Sequence, residues 1–136
     1  MNMKRIIVAV VDDDLVMRQA MARLLSALGY CTELFASGEA FLDAATKSEA
    51  SCLVVDIQLG DISGVELGRQ LTANGFTFPI IFMTASDDET IRNGAMQLGC
   101  VSYLRKPFPA DELIAAIVMA IGSVSAPDGS ERPRQP

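Results

Sequence analysis

Three stretches of this chain are almost continuously apolar: "IIVAVV" at 6–11, "CLVV" at 52–55 and "IIFM" at 80–83. A strand with one face in water alternates apolar and polar residues, so runs that are apolar on both parities belong to strands covered on both faces. The text between the runs has a different period. Leu15, Met17, Met21, Leu24, Leu25 and Leu28 follow spacings of three and four and stop at Gly29, as in an amphipathic helix closed by a glycine. On this basis strands are expected near Arg5 to Val11, Tyr30 to Phe35, Ser51 to Val55, Pro79 to Met83 and Val101 to Arg105. Helices are expected over Glu39 to Thr46, Gly64 to Ala73, Asp87 to Leu98 and Ala110 to Ile121, in addition to the first. Strand-then-helix units repeated in this way predict a doubly wound parallel α/β sheet.

With 136 residues, half of them apolar, the chain can bury one proper core and is too short for two ordinary domains. One domain is expected over residues 1–122. From Ser123 the text "SVSAPDGSERPRQP" loses its apolar period, and residues 123–136 are expected to form a flexible tail or linker stub. The net charge of −6 gives no general attraction to phosphate backbones or anionic lipid, so direct binding of nucleic acid or membrane is not expected. The N-terminal apolar run is too short to span a bilayer and has no cleavage-site pattern, which points to a cytoplasmic protein. Cys31, Cys52 and Cys100 are odd in number and widely spaced, so reduced thiols are expected, and the absence of histidine removes every histidine-based catalytic pair.

Ligands of open parallel sheets bind outside the carboxyl ends of the strands. The polar residues that end the apolar runs are therefore expected to converge: Asp12 and Asp13, Asp56, Thr84, and Lys106. Close carboxylates repel one another unless a cation neutralises them, and an oxygen-only donor set favours a hard divalent ion, Mg²⁺, with Mn²⁺ able to substitute. An aspartate beside such an ion and a fixed lysine can attack phosphorus in line, giving an acyl phosphate. Other acids read as structural: Asp14 as the cap of the first helix, and Asp87 and Asp88 as caps of the fourth.

The set "VVDDD" at 10–14, "LVVD" ending at Asp56, "IIFMTAS" carrying Thr84 and Ala85, and "YLRKPF" carrying Lys106 and Pro107 resembles the receiver domain of two-component response regulators, over about residues 4–122. The segment "GYCTELFASGEAFL" is similar to the FixJ-like branch. The resemblance implies a five-stranded (βα)5 flavodoxin-like fold with strand order 2-1-3-4-5. It implies that Asp56 accepts a phosphoryl group from a histidine kinase or a histidine phosphotransfer protein. Asp13, Asp56 and the backbone carbonyl of Gln58 would ligate Mg²⁺, with Asp12 holding a metal-bound water. Lys106 and Thr84 would each pair with a phosphoryl oxygen, and Tyr103 would be an aromatic switch that turns inward as Thr84 moves. Ala85, Ser86 and Pro107 would line the pocket, with a cis bond before Pro107. The face built by the fourth helix, fifth strand and fifth helix would meet a downstream protein or a second copy of the chain.

Leu59 and Gly60 stand where the family commonly has Met-Pro, and the freer glycine predicts a more mobile loop after the acceptor. Tyr103 also fits a half-buried strand aromatic with a wet hydroxyl. Two further functions remain open at this point. One is a receiver-like binding module that works without phosphorylation. The other is a haloacid-dehalogenase-like phosphatase, which would want a second acid where this chain has Gln58.

Overall fold

The structure, a computed structural model, describes residues 5–125. Five strand-helix units follow one another: β1 (Ile7–Val11), α1 (Leu15–Ala27), β2 (Cys31–Phe35), α2 (Gly38–Ala44), β3 (Cys52–Asp56), α3 (Gly64–Ala73), β4 (Ile80–Thr84), α4 (Glu89–Gln97), β5 (Ser102–Arg105) and α5 (Ala110–Ser125). The strands form one sheet in the order β2-β1-β3-β4-β5, and every neighbouring pair is parallel. This is the expected doubly wound, flavodoxin-like arrangement.

The apolar runs are two-sided because each strand feeds two cores. Val8 and Val10 of β1, Cys52 and Val54 of β3, and Ile81 and Met83 of β4 pack with Met21 and Leu25 of α1 and Leu113 and Ile117 of α5. The alternate residues, Ala9, Val11, Leu53, Val55 and Phe82, pack on the other face with Phe41 of α2, Leu67 and Leu71 of α3 and Ala95 of α4. Period-2 alternation is still present in these strands, but it sorts residues between two apolar layers instead of between core and water.

Helix ends follow local chemistry. Asp14, Ser37, Ser63 and Asp88 cap α1, α2, α3 and α4, each with its side chain accepting a first-turn amide. Gly29, Gly75 and Gly99 follow α1, α3 and α4 with positive φ, the conformation that glycine adopts without a Cβ penalty. Several expectations are corrected. Leu15 and Leu28 leave the predicted stripe of α1: Leu15 is 55% exposed and Leu28 38%, because the core-facing arc of the helix is centred on Met21 and Leu25. Asp87 does not cap α4 but pairs with Arg105 of β5, leaving the cap to Asp88. Strands β3 and β4 each run one residue further than predicted, to Asp56 and Thr84, since the ladder continues through both polar residues. Helix α5 continues past Ile121 to Ser125, and the rest of the expected tail lies outside the described residues.

Gly64, the first residue of α3, lies against the strand it has just left: a Cβ there would stand 2.6 Å from the Asp56 carbonyl oxygen and 2.9 Å from Ile57 Cα. Gly64→Ala is expected to destabilise the protein by about 1–3 kcal/mol, as overpacking against backbone does. Urea unfolding checks this, with a lower midpoint at unchanged slope as the expected result.

Candidate functional site

Three polar groups arrive at the carboxyl edge of the sheet through the parallel ladder. Asp12 extends β1, donating its backbone N–H to Phe35 C=O at 3.1 Å, while Asp56 and Thr84 are the last residues of β3 and β4. Lys106 follows β5 directly, and its N–H donates to Thr84 C=O at 2.7 Å. All three of Asp12, Asp56 and Thr84 are buried polar residues in an otherwise apolar interior. Such groups require partners, and they have them.

The Lys106 ammonium donates to Asp56 Oδ2 at 3.1 Å and lies 3.4 Å from Asp12 Oδ2. The other oxygens of these carboxylates are taken by backbone: Asp12 Oδ1 accepts from Asp14 N–H (2.9 Å) and Asp56 Oδ1 from Gln58 N–H (3.0 Å). Thr84 Oγ1 accepts from Ser86 N–H at 3.0 Å. Asp13 is exposed, and one carboxylate oxygen from each of Asp12, Asp13 and Asp56 lies within 4.8 Å of the others. One ammonium faces three acids, so the cluster keeps an excess of negative charge. An all-oxygen donor set with an exposed member fits a hard divalent cation.

Burial raises the pKa of Asp12; the Asp14 amide and Lys106 pull it back only in part, and the charge of Asp56 adds to the rise. For Lys106, burial pulls downward, but the hydrogen bond and charge of Asp56, then those of Asp12, leave the ammonium raised. At the opposite end of β3 from Asp56, the Cys52 thiol is pushed up to about 12 by burial in the core.

Asp12, Asp13, Asp56, Gln58, Thr84 and Lys106 are drawn together as expected, whereas Ser86, although its N–H bonds Thr84, lines a separate cavity with Tyr103. The Lys106–Pro107 bond is cis, as anticipated. Ala85, Lys106 and Pro107 line a groove shared with Met17, Met21 and Leu24 of α1, and Ala85 itself is exposed. Tyr103 sits beneath α4, with the Arg92 guanidinium carbon 5.9 Å from its ring centroid. Its hydroxyl is not wet: the oxygen is buried and makes no hydrogen bond, and burial raises the pKa of the phenol, which Arg92 and Thr84 nearby offset only in part. Two contributors escaped the sequence reading. Arg18 of α1 donates to the Asp12 backbone carbonyl at 2.8 Å, and Asp61 ties the loop after β3 to α2. Neither carries a sequence signal beyond being a charged residue near a motif.

A parallel sheet in this order, with acids, a hydroxyl and a lysine gathered on its carboxyl edge, defines a receiver. The sequence model of the response regulator receiver domain matches residues 8–118, and the chain belongs to that family. It is 39% identical over 112 residues to the transcriptional regulatory protein FixJ of Bradyrhizobium diazoefficiens, covering 82% of this chain and 55% of that one. It is 32% identical over 115 residues to the response regulator protein TodT of Pseudomonas putida, covering 85% and 51%. The chain thus spans about half the length of these curated relatives. Among solved structures, that of FixJ-N superposes with a TM-score of 0.85 at 34% identity, covering 91% of this chain and 99% of the other.

An aspartate whose pKa rises on folding holds its proton more tightly in the native state; its contribution to stability is present below the unfolded pKa and is lost as pH rises through the folded value. Asp12→Asn is therefore expected to raise the melting temperature of the metal-free protein at about pH 7, with the advantage shrinking as pH falls through the raised folded value and gone below about pH 4, the ordinary aspartate range. A lower melting temperature at neutral pH would show instead that the bonds of Asp12 to Asp14 and Lys106 outweigh its burial.

Proposed function

We propose that Asp56 is the phosphoacceptor of this receiver, taking a phosphoryl group from the phosphohistidine of a histidine kinase or a histidine phosphotransfer protein. The observation that carries this reading is the contact of Lys106 Nζ with Asp56 Oδ2 at 3.1 Å inside a cluster of three acids. A carboxylate oxygen of Asp56 attacks phosphorus, the P–N bond to the donor imidazole breaks, and an acyl phosphate remains on Asp56. Lys106 is placed to follow the charge onto a phosphoryl oxygen, and Thr84, one strand away, supplies a hydroxyl to another. Asp12, Asp13, Asp56 and the Gln58 carbonyl would hold Mg²⁺, or Mn²⁺ in its place. When bound, such an ion would supply positive charge to the phosphoryl oxygens. Ala85 leaves the approach open, and Ser86, Gln58 and Pro107 shape the access of water to the same centre.

The protein is then a signalling phosphoacceptor whose catalysis extends only to its own phosphorylation and dephosphorylation. Exposed Leu15 and Val16 in the first turn of α1, directly after Asp12 to Asp14, offer the donor an apolar landing. Readout is assigned to the face of α4, β5 and α5, toward a downstream protein or a second copy of the chain. Tyr103 belongs there as the switch: its buried, unpartnered hydroxyl leaves a polar group that a shift of Thr84 would re-satisfy. Reduced cysteines suit a cytoplasmic setting. A phosphatase of the haloacid dehalogenase kind is disfavoured, because the acceptor lies on β3 and the residue two beyond it is Gln58.

Incubation with Mg²⁺ and acetyl phosphate is expected to add about 80 Da to the intact mass, the weight of one phosphoryl group. Asp56→Asn should abolish the adduct, and Lys106→Ala should slow its formation by about a hundredfold, as losing a preorganised charge does. A wild-type protein that never gains the adduct would leave only the phosphorylation-independent binding module.

A further inference from the structure

The loop between β3 and α3 has its ends fixed by backbone. Ile57 N–H donates to Met83 C=O at 3.0 Å, and Gly64 N–H donates to Ile57 C=O at 2.7 Å. Between these points the loop is held by a distant partner. Asp61 Oδ1 accepts from Gly38 N–H at 3.2 Å and Oδ2 from Glu39 N–H at 2.9 Å, two of the amides that the start of α2 leaves without an intrahelical acceptor. The neighbouring Ile62 packs on the same spot: a Cβ at Gly38 would stand 2.6 Å from Ile62 Cγ1. On the other side of Asp61, a Cβ at Gly60 would stand 3.4 Å from Asp13 Oδ2. The loop thus carries the Gln58 amide bonded to Asp56, passes Asp13 at Gly60, and is tied to α2 at the next two residues.

We propose that Asp61 is a positioning residue for the cation site, fixing the loop so that the Gln58 backbone stays beside Asp56 and the Gly60 backbone stays against Asp13. The proposal rests on the assignment of Asp12, Asp13, Asp56 and Gln58 to Mg²⁺ made above. Its physical basis is entropy. A glycine at 60 leaves the loop more backbone freedom to lose on binding an ion than a proline would, and a two-point tether removes that freedom in advance. The mobility expected from Gly60 is in this way counteracted from the adjacent residue.

The test compares Asp61→Ala, Asp61→Asn and Ser37→Ala with the wild type in two measurements: Mg²⁺ affinity by calorimetry, and amide hydrogen exchange in the metal-free protein. Ser37→Ala is the control, since Ser37 Oγ accepts from Ala40 N–H at 3.0 Å and so supports α2 without touching the loop. Asp61→Ala is expected to weaken Mg²⁺ binding about tenfold, the lower end for residues that orient metal ligands. It should also speed exchange at residues 58–62 together with Glu39. Asp61→Asn, which keeps one of the two acceptor oxygens and loses the charge, should fall between Asp61→Ala and the wild type in both affinity and exchange. Ser37→Ala should speed exchange only in α2. The proposal is overturned if Asp61→Ala leaves affinity within twofold of wild type, if Asp61→Ala and Asp61→Asn weaken Mg²⁺ while exchange at residues 58–62 stays as slow as in the wild type, so that charge alone is at work, or if Ser37→Ala weakens Mg²⁺ equally. A wild-type protein that binds no Mg²⁺ would remove the cation assignment itself, and this tether with it.

Discussion

Lys106 answers a problem that the fold creates. A doubly wound parallel sheet directs its carboxyl ends to one edge, and here that edge receives Asp12, Asp13 and Asp56 with their oxygens within 4.8 Å of one another. Two of these acids are buried, where like charges repel strongly and hydration is lost. The ammonium, 3.1 Å from Asp56 and 3.4 Å from Asp12, offsets part of that repulsion without removing it. What remains is an excess of negative charge gathered at one edge of the sheet. The rest of the molecule can be seen as the frame that holds this imbalance in place.

The frame works because the central strands are sandwiched. Residues of one parity in β1, β3 and β4 face α1 and α5, while those of the other parity face α2, α3 and α4, so neither face of the strands bearing Asp12, Asp56 and Thr84 is left to water. With both sides packed, the last residues of the strands have little freedom, and the Asx-type bonds from Asp14, Gln58 and Ser86 amides orient the polar side chains further. Surface chemistry then differs by side. Beside the site, α1 exposes Leu15 and Val16, whereas the α4 and β5 side carries Arg92 over Tyr103 and the pair of Arg105 with Asp87. The surfaces proposed for input and for readout thus differ in character.

Much of this was legible in one dimension. Apolar runs of both parities announced covered parallel strands, and the abrupt change to Asp, Thr or Lys at their ends announced the site, because in this architecture the end of a strand is also a position in space. The errors have a common cause. Leu15 satisfied the helical period yet lies in water, since period alone does not say where the arc of contact is centred. Asp87 looked like a cap but found Arg105, a partner on another strand. The hydroxyl of Tyr103 could be wet or dry by sequence; the packing of α4 over it decided for dry.

The sequence by itself determined the layer order, the sheet's parallel character and the identity of the converging acids and lysine, because hydrophobic period and residue chemistry are local and the βαβ connection has one favoured hand. Only the tertiary structure decided which charges meet and how closely: Lys106 with Asp56 across 50 residues of chain, Arg18 under the Asp12 carbonyl, and Asp61 reaching back to α2. All but that of Arg18, six residues from Asp12, depend on distances between elements that are far apart in the chain. Such distances are set by how the two cores pack, which no short window of residues encodes.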